Sequence, residues 1–201
     1  IKSKLLPALK KVLETLELKT KEFSSIIKIG RTHLQDATPM TLGQEFSGYR
    51  ESIKKSIKKI EQATKYLSTL PQGGTAVGTG INTHPDFGKM IAKELSKETG
   101  IRFTETKNHF EAQSTQDSVL TVSSVLRGVA ISFSKIANDI RLLGSGPRAG
   151  IGELEIPAVQ PGSSIMPGKV NPVICESLIQ ICAQILGNDE AVSLGAQGSY
   201  F

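Results

Sequence analysis

Residues 42–70 read LGQEFSGYRESIKKSIKKIEQATKYLSTL, and the spacing within them decides the fold class. The apolar positions Leu42, Phe46, Tyr49, Ile53, Ile57, Ile60, Leu67 and Leu70 follow one another in steps of three, four or seven. An α-helix turns once every ~3.6 residues, so such steps stay on one face. At ~1.5 Å rise per residue the stripe predicts a helix of roughly 40 Å. Thr38 before Pro39 is expected as its N-cap entrance, and Pro71 with Gly73 and Gly74 as its stop.

The same period recurs on both sides. Upstream, Leu5, Leu9, Val12 and Leu16 predict a helix in which Pro7 is tolerable only because it stands near the start. Downstream, Leu126, Val129, Phe133, Ile136, Ile140 and Leu143 predict a third long helix, closed by Gly144-Ser145-Gly146-Pro147. A fourth follows Pro172, with Ile174, Leu178, Ile181 and Ile185, and is expected to break at Gly187. A short helix over residues 86–97 joins them, and strand alternation is nearly absent. The expected fold is all-α, an elongated bundle of long helices with Gly-rich loops. The stripes fit burial against partner chains and a self-contained antiparallel bundle equally well.

Composition narrows the class. At 201 residues, 38% hydrophobic and 21% charged, the chain has the profile of a soluble globular protein. Aromatic residues are 5% and Trp is absent, lean for a β-sandwich. No run approaches the ~18 apolar residues of a membrane span, so no membrane is expected. The net charge of +5 admits an acidic partner. Lys54, Lys55, Lys58 and Lys59 lack interleaved aromatics and read as a solvated helix face, so nucleic acid is not expected. Cys175 and Cys182 on one helix would have Cα atoms roughly 10 Å apart. A disulfide spans at most about 7 Å, so they read as buried free thiols of a reducing compartment. Ile1 falls inside an amphipathic pattern and Gly198-Ser199-Tyr200-Phe201 carries no cap, so the chain is expected to be a piece of a longer one.

Three loops concentrate polar residues and glycine: 30–39, 73–84 and 162–172. The second follows a helix and lacks both the third glycine of a dinucleotide fingerprint and the Gly-Lys-Ser/Thr of a phosphate loop. Three His and two Cys show no metal-ligand spacing, so no metal is expected. The third loop is the informative one. It sets the hydroxyls of Ser163 and Ser164 among glycines, then the ammonium of Lys169 and the carboxamide of Asn171, both suited to holding a carboxylate. Backbone N–H groups of such a loop can stabilise an oxyanion, which a serine needs in order to act as a base. A helix-entry loop rich in capping groups is the plainer alternative.

The stretch Gly162-Ser-Ser-Ile-Met-Pro-Gly-Lys-Val-Asn-Pro172 resembles the fingerprint of the fumarase/aspartase superfamily. The blocks 30–45, 73–87 and 138–148 extend the resemblance over essentially the whole chain. Thr32-His33 is similar to class II fumarases, where aspartases carry Gln in place of this His. Gly168 before Lys169, and Cys175-Glu176 after Pro172, point the same way.

The resemblance implies reversible hydration of fumarate to (S)-malate in the tricarboxylic acid cycle, with no metal or organic cofactor. It implies Ser163 as the base and Ser164, Thr32, Lys169, Asn171 and the backbone at Val170 as substrate contacts. His33 is implied to handle the proton of the hydroxyl or water, with Glu176 as its acidic partner. His84 and His109 have no such role and read as structural. A homotetramer with sites shared between subunits is implied, together with N- and C-terminal domains that this central helical domain (1–201) lacks, so the piece alone is expected to be nearly inactive. Bacterial cytoplasm is favoured over the mitochondrial matrix. Aspartate ammonia-lyase is the enzyme alternative. A structural oligomer of lens-crystallin type is the non-enzyme one, against which intact Ser163, Lys169, Asn171 and His33 stand.

Overall fold

The helix that the 42–70 stripe predicts begins at Leu42 and ends at Ala63 in the computed structural model, which describes residues 1–198. Its start is set by a capping box. Gln44 N–H donates to Thr41 Oγ1 at 3.1 Å, and Thr41 N–H donates to Gln44 Oε1 at 2.9 Å. Thr41 therefore takes the entrance expected at Thr38, which lies in a strand. The helix stops before Leu67 and Leu70 because the chain finds other partners. Thr64 Oγ1 turns back onto the Glu61 carbonyl, a 3-10 turn follows at Tyr66–Ser68, and Thr69 and Leu70 pair with Thr104 and Glu105.

In chain order the described residues form α1 (Leu5–Glu22), β1 (Ile27–Thr32), β2 (Gln35–Thr41), α2 (Leu42–Ala63), β3 (Thr69–Leu70), α3 (Phe87–Thr99), β4 (Thr104–Glu105), α4 (His109–Ser114), α5 (Asp117–Leu143) and α6 (Val173–Ala196). The fold is all-α in class. The expectation of almost no strand is corrected at β1 and β2, an antiparallel hairpin where a polar loop was expected. β3 and β4 add a two-residue parallel pair. The expected break at Gly187 is also corrected, since α6 runs through it. Asp189, just beyond, is 2% exposed and accepts from Ser123 Oγ at 2.6 Å, which ties the continuing helix down. The uncapped end expected at Ser199–Phe201 lies outside the described residues.

The chain divides into two compact units. The first comprises Lys2–Lys55 and Arg127–Gly187, and it contains every candidate site residue. Its buried apolar residues include Leu9, Leu16, Phe46, Ile53, Ile136 and Ala137. Phe23 meets Phe46 edge-on at 5.0 Å between centroids, and Phe46 meets Tyr49 at 5.4 Å. The start of α2 sits directly on the end of α1. A Cβ at Gly43 would lie 2.6 Å from the Thr20 carbonyl oxygen, so only glycine allows this approach. The second unit comprises Ile1, Ser56–Leu126 and the chain from Asn188. There His109 Nδ1 bonds the Pro71 carbonyl at 2.9 Å and Nε2 contacts Glu105 at 3.2 Å.

α5 is long and apolar enough to cross a membrane by length and composition alone, although polar residues such as Ser123, Ser124 and Ser132 interrupt any continuous apolar run. The same helix carries the Lys135–Asp139 ion pair and buries Val129, Ile136 and Leu143, while Val119, Ile131 and Leu142 are exposed. The apolar stripe of α6 does not supply the core of its unit. Ile174 and Ile181 are exposed, while Cys182 is buried. Both cysteines are free, and Cys175 is only half-buried. Burial raises both thiols above their ordinary range.

Candidate active site

The β1–β2 hairpin pairs Thr32 with Gln35, which leaves His33 and Leu34 as a two-residue turn. Their φ angles, 54° and 62°, are both left-handed, as a type I′ turn requires. That conformation is uncommon for non-glycine residues and costly for leucine, so the turn holds strain at the position that presents an imidazole. Thr32, His33 and Leu34 are all exposed.

The 162–172 loop is organised by its own backbone. Lys169 N–H donates to the Met166 carbonyl at 3.1 Å, with Pro167 and Gly168 between them and Gly168 at φ 81°. Proline followed by a positive-φ glycine is the signature of a type II turn. Ser163 N–H then donates to the Lys169 carbonyl at 3.1 Å, closing the loop. Gly162 permits that closure, because a Cβ there would stand 2.6 Å from the same oxygen. Lys169 Nζ donates to Asn171 Oδ1 at 2.9 Å. The fold thus gathers Ser163, Lys169 and Asn171, with Ser163 half-buried and Ser164, Lys169, Val170 and Asn171 exposed.

Glu176 lies in the first turn of α6, its N–H bonded to the Pro172 carbonyl at 3.1 Å. Among the described residues, neither the His33 ring nor the Glu176 carboxylate forms a hydrogen bond or ion pair within the chain. A cleft of about 570 Å³ opens beside the loop, with Gly144, Gly152, Glu155, Gly168, Val170 and Asn171 on its wall. Ser163, Lys169 and His33 are not part of that wall. Among the described residues no group of three or more His, Cys, Asp or Glu is placed to hold a metal ion.

Behind the hairpin stands a charge network that sequence reasoning missed. Arg31 Nη2 donates to Glu153 Oε1 at 2.6 Å, and Lys28 Nζ lies 2.8 Å from Glu153 Oε2. That second contact is an ion pair without good hydrogen-bond angles. Lys28 also pairs with Glu45, whose other oxygen meets the Tyr49 hydroxyl at 3.2 Å, and Tyr49 donates to Asp139 at 3.0 Å. Burial alone would lower the Lys28 ammonium, but its carboxylate partners overcome this and raise it. Burial likewise disfavours the Glu153 carboxylate, yet Arg31 and Lys28 hold it below its ordinary range. Burial first, then Glu45 and Asp139, push the Tyr49 hydroxyl well up. A strand sends residues 28 and 31 to opposite faces, and the register shift between Ile29 and Arg31 lets both reach one carboxylate. No local motif announces a partner so far along the chain.

With this geometry in place, the comparisons with known proteins fall into line. A sequence model of the lyase family matches residues 1–187, and the chain belongs to that family. Within it, the chain is 54% identical over 201 residues to the mitochondrial fumarate hydratase of Dictyostelium discoideum, covering all of this chain and 41% of the relative. It is 54% identical over 198 residues to the class II fumarate hydratase of Corynebacterium efficiens, covering 98% of this chain and 42% of the relative. The crystal structure of class II fumarase from Schistosoma mansoni superposes with a TM-score of 0.96 at 38% identity, covering 98% of this chain and 44% of that one. The chain spans about two fifths of the length of the curated relatives it matches.

Proposed function

We propose that the full-length protein is a class II fumarate hydratase, interconverting fumarate and (S)-malate in the tricarboxylic acid cycle. The observation that carries this reading is the self-closed 162–172 loop, in which the Ser163 N–H bonds the Lys169 carbonyl and the Lys169 ammonium bonds Asn171. Relatives that match along all of the chain are fumarate hydratases, and they support the reading.

The difficult step in malate dehydration is removal of a proton from the carbon next to a carboxylate. The electron pair left behind spreads into that carboxylate, which gains charge and must be stabilised as it does so. Ser163 Oγ takes the proton as base. The Lys169 ammonium, the Asn171 amide and the Val170 N–H hold the carboxylate, and Thr32 and Ser164 contact the substrate. The C–O bond on the adjacent carbon then breaks. His33 delivers a proton to the departing hydroxyl, which leaves as water, and Glu176 orients the imidazole.

Among the described residues, neither His33 nor Glu176 has a hydrogen-bond or ion-pair partner for its side chain within one copy of the chain. In this reading they come from different copies of a homotetramer, with active sites shared between subunits. Ile131 on α5 and Ile174, Ile181 and Leu194 on α6 are exposed and supply apolar area for such an assembly. Cytoplasm or mitochondrial matrix is the proposed location, since relatives include both bacterial and mitochondrial enzymes.

The test is to purify the full-length protein and follow ultraviolet absorbance of fumarate with malate and, separately, with aspartate. Turnover of malate alone, lost by about a thousandfold or more in Ser163→Ala, is expected. Turnover of aspartate in place of malate, or undiminished turnover in the variant, would overturn the reading.

A further inference from the structure

We infer that Glu153 is a positioning residue for the hydration site: by clamping Lys28 and Arg31 it fixes the strained turn that presents Thr32 and His33. The inference rests on the functional reading above and adds to it a residue outside the substrate-contacting set.

The turn has little else to hold it. His33 and Leu34 occupy left-handed backbone that the fold must impose, and neither side chain is buried. β1 and β2 form an isolated two-stranded sheet, an arrangement of marginal stability by itself. Arg31 immediately precedes Thr32, and its guanidinium is held by Glu153 at 2.6 Å across 122 residues of sequence. Lys28, earlier on the same strand, grips the other oxygen of Glu153 and also Glu45 at the start of α2. The hairpin is therefore pinned at two points, and Glu153 is common to both.

Glu153 is itself fixed. Its N–H donates to the Leu143 carbonyl at 2.8 Å, and the Gly152 N–H donates to the Ser145 carbonyl at 2.9 Å, folding this segment back onto the end of α5. Gly150 allows the fold-back, since a Cβ there would stand 2.3 Å from the Ser145 carbonyl oxygen. The carboxylate thus reports to the hairpin from a rigid base. Misplacement of an acid–base group by about an ångström lowers turnover on the order of a hundredfold, while the substrate contacts of the 162–172 loop, apart from Thr32, stay in place.

The experiment uses the full-length, assembled protein. Glu153→Gln keeps the side-chain shape and removes the charge. Malate kcat is expected to fall by about tenfold or more, while KM stays within about threefold. Hydrogen–deuterium exchange over residues 27–41 should rise by about fivefold or more, with α2 unchanged. An unchanged kcat, or a lower kcat with unchanged hairpin exchange, overturns the inference. Should Glu153→Gln fail to assemble, Arg31→Lys removes the guanidinium fork while keeping the charge. The same split and faster hairpin exchange are expected there, and wild-type values for both overturn the inference. If the wild-type protein lacks hydratase activity, the functional reading fails, and hairpin exchange alone then decides whether Glu153 is the clamp.

Discussion

Lys169 Nζ donates to Asn171 Oδ1 at 2.9 Å, so the two groups proposed to hold the substrate carboxylate are tied directly to each other. The carbonyl of Asn171 takes one of the three donors of the ammonium, and its NH2 points no hydrogen bond back to Lys169. A substrate carboxylate would keep the ammonium and add the amide donors. Asn171→Asp removes those donors and sets a second negative charge beside a dianion, and like charges in contact cost several kcal/mol. Malate kcat/KM in the full-length protein is expected to fall by at least about a hundredfold. Steady-state assays across malate concentration check this, and a change below about threefold would remove Asn171 from substrate binding.

Leu34 is the costlier half of the His33-Leu34 turn. At φ 62° and 72% exposed, it gains no burial in return for left-handed backbone. The second position of a type I′ turn is favourable for glycine. Relief of strain, ~1–2 kcal/mol, exceeds the extra chain entropy of glycine, ~0.5–1 kcal/mol. Leu34→Gly is therefore expected to stabilise the protein by about 0.5–1 kcal/mol, seen as a higher urea midpoint at unchanged slope.

How legible these features were in the sequence follows from how local their causes are. The helices rest on a 3.6-residue period, so Leu42 to Ile60 and Leu126 to Leu143 revealed α2 and much of α5 directly. The hairpin is hidden because its turn is His-Leu where Asn-Gly would announce it, and because β2, Gln35 to Thr41, lacks apolar alternation, with Ala37 and Met40 three apart and Pro39 between them. That proline is tolerated because a two-stranded sheet has only edge strands. Ser163, Lys169 and Asn171 lie within one short loop, so a motif suffices to find them. Glu153 is invisible to such reasoning, since its role depends on Lys28 and Arg31 across the chain. Ile174 and Ile181 show the limit of periodicity: their spacing marks the helix that α6 is, but not what covers it, and within one copy of the chain they face outward.

The Lys28–Glu153–Arg31 cluster sets two edges on stability. Glu153 ionises more readily in the folded chain than its ordinary value of 4.5, so its contribution is present above that value and lost as pH falls through the lower, folded one. Lys28 is raised above its ordinary 10.5, so its contribution is present below that value and lost as pH rises through the higher, folded one. Arg31 stays charged throughout. Glu153→Gln should thus be clearly less stable than wild type near neutrality, with the gap shrinking as pH falls below 4.5. Urea midpoints of both proteins across this range test it, and a gap constant with pH would separate the Glu153 charge from stability.

Gly43 and Gly48, five residues apart on α2, should respond to alanine with opposite signs. Alanine is the better helix former at an interior position, by ~0.8–1 kcal/mol. At Gly48 a Cβ meets nothing within 4 Å, so Gly48→Ala is expected to stabilise the protein by about that amount. At Gly43 the same methyl would stand 2.6 Å from the Thr20 carbonyl oxygen and 2.8 Å from Ser24 Cα, both main-chain atoms that cannot rotate away. The helix start must then back off the end of α1, opening the Leu42 N–H bond to the Ile26 carbonyl and the Gly43 N–H bond to Phe23. Overpacking of this kind costs ~1–3 kcal/mol, more than the helix propensity returns. Chemical denaturation of the two variants side by side makes the comparison, and because α2 carries both positions, a general effect on the helix would move them together.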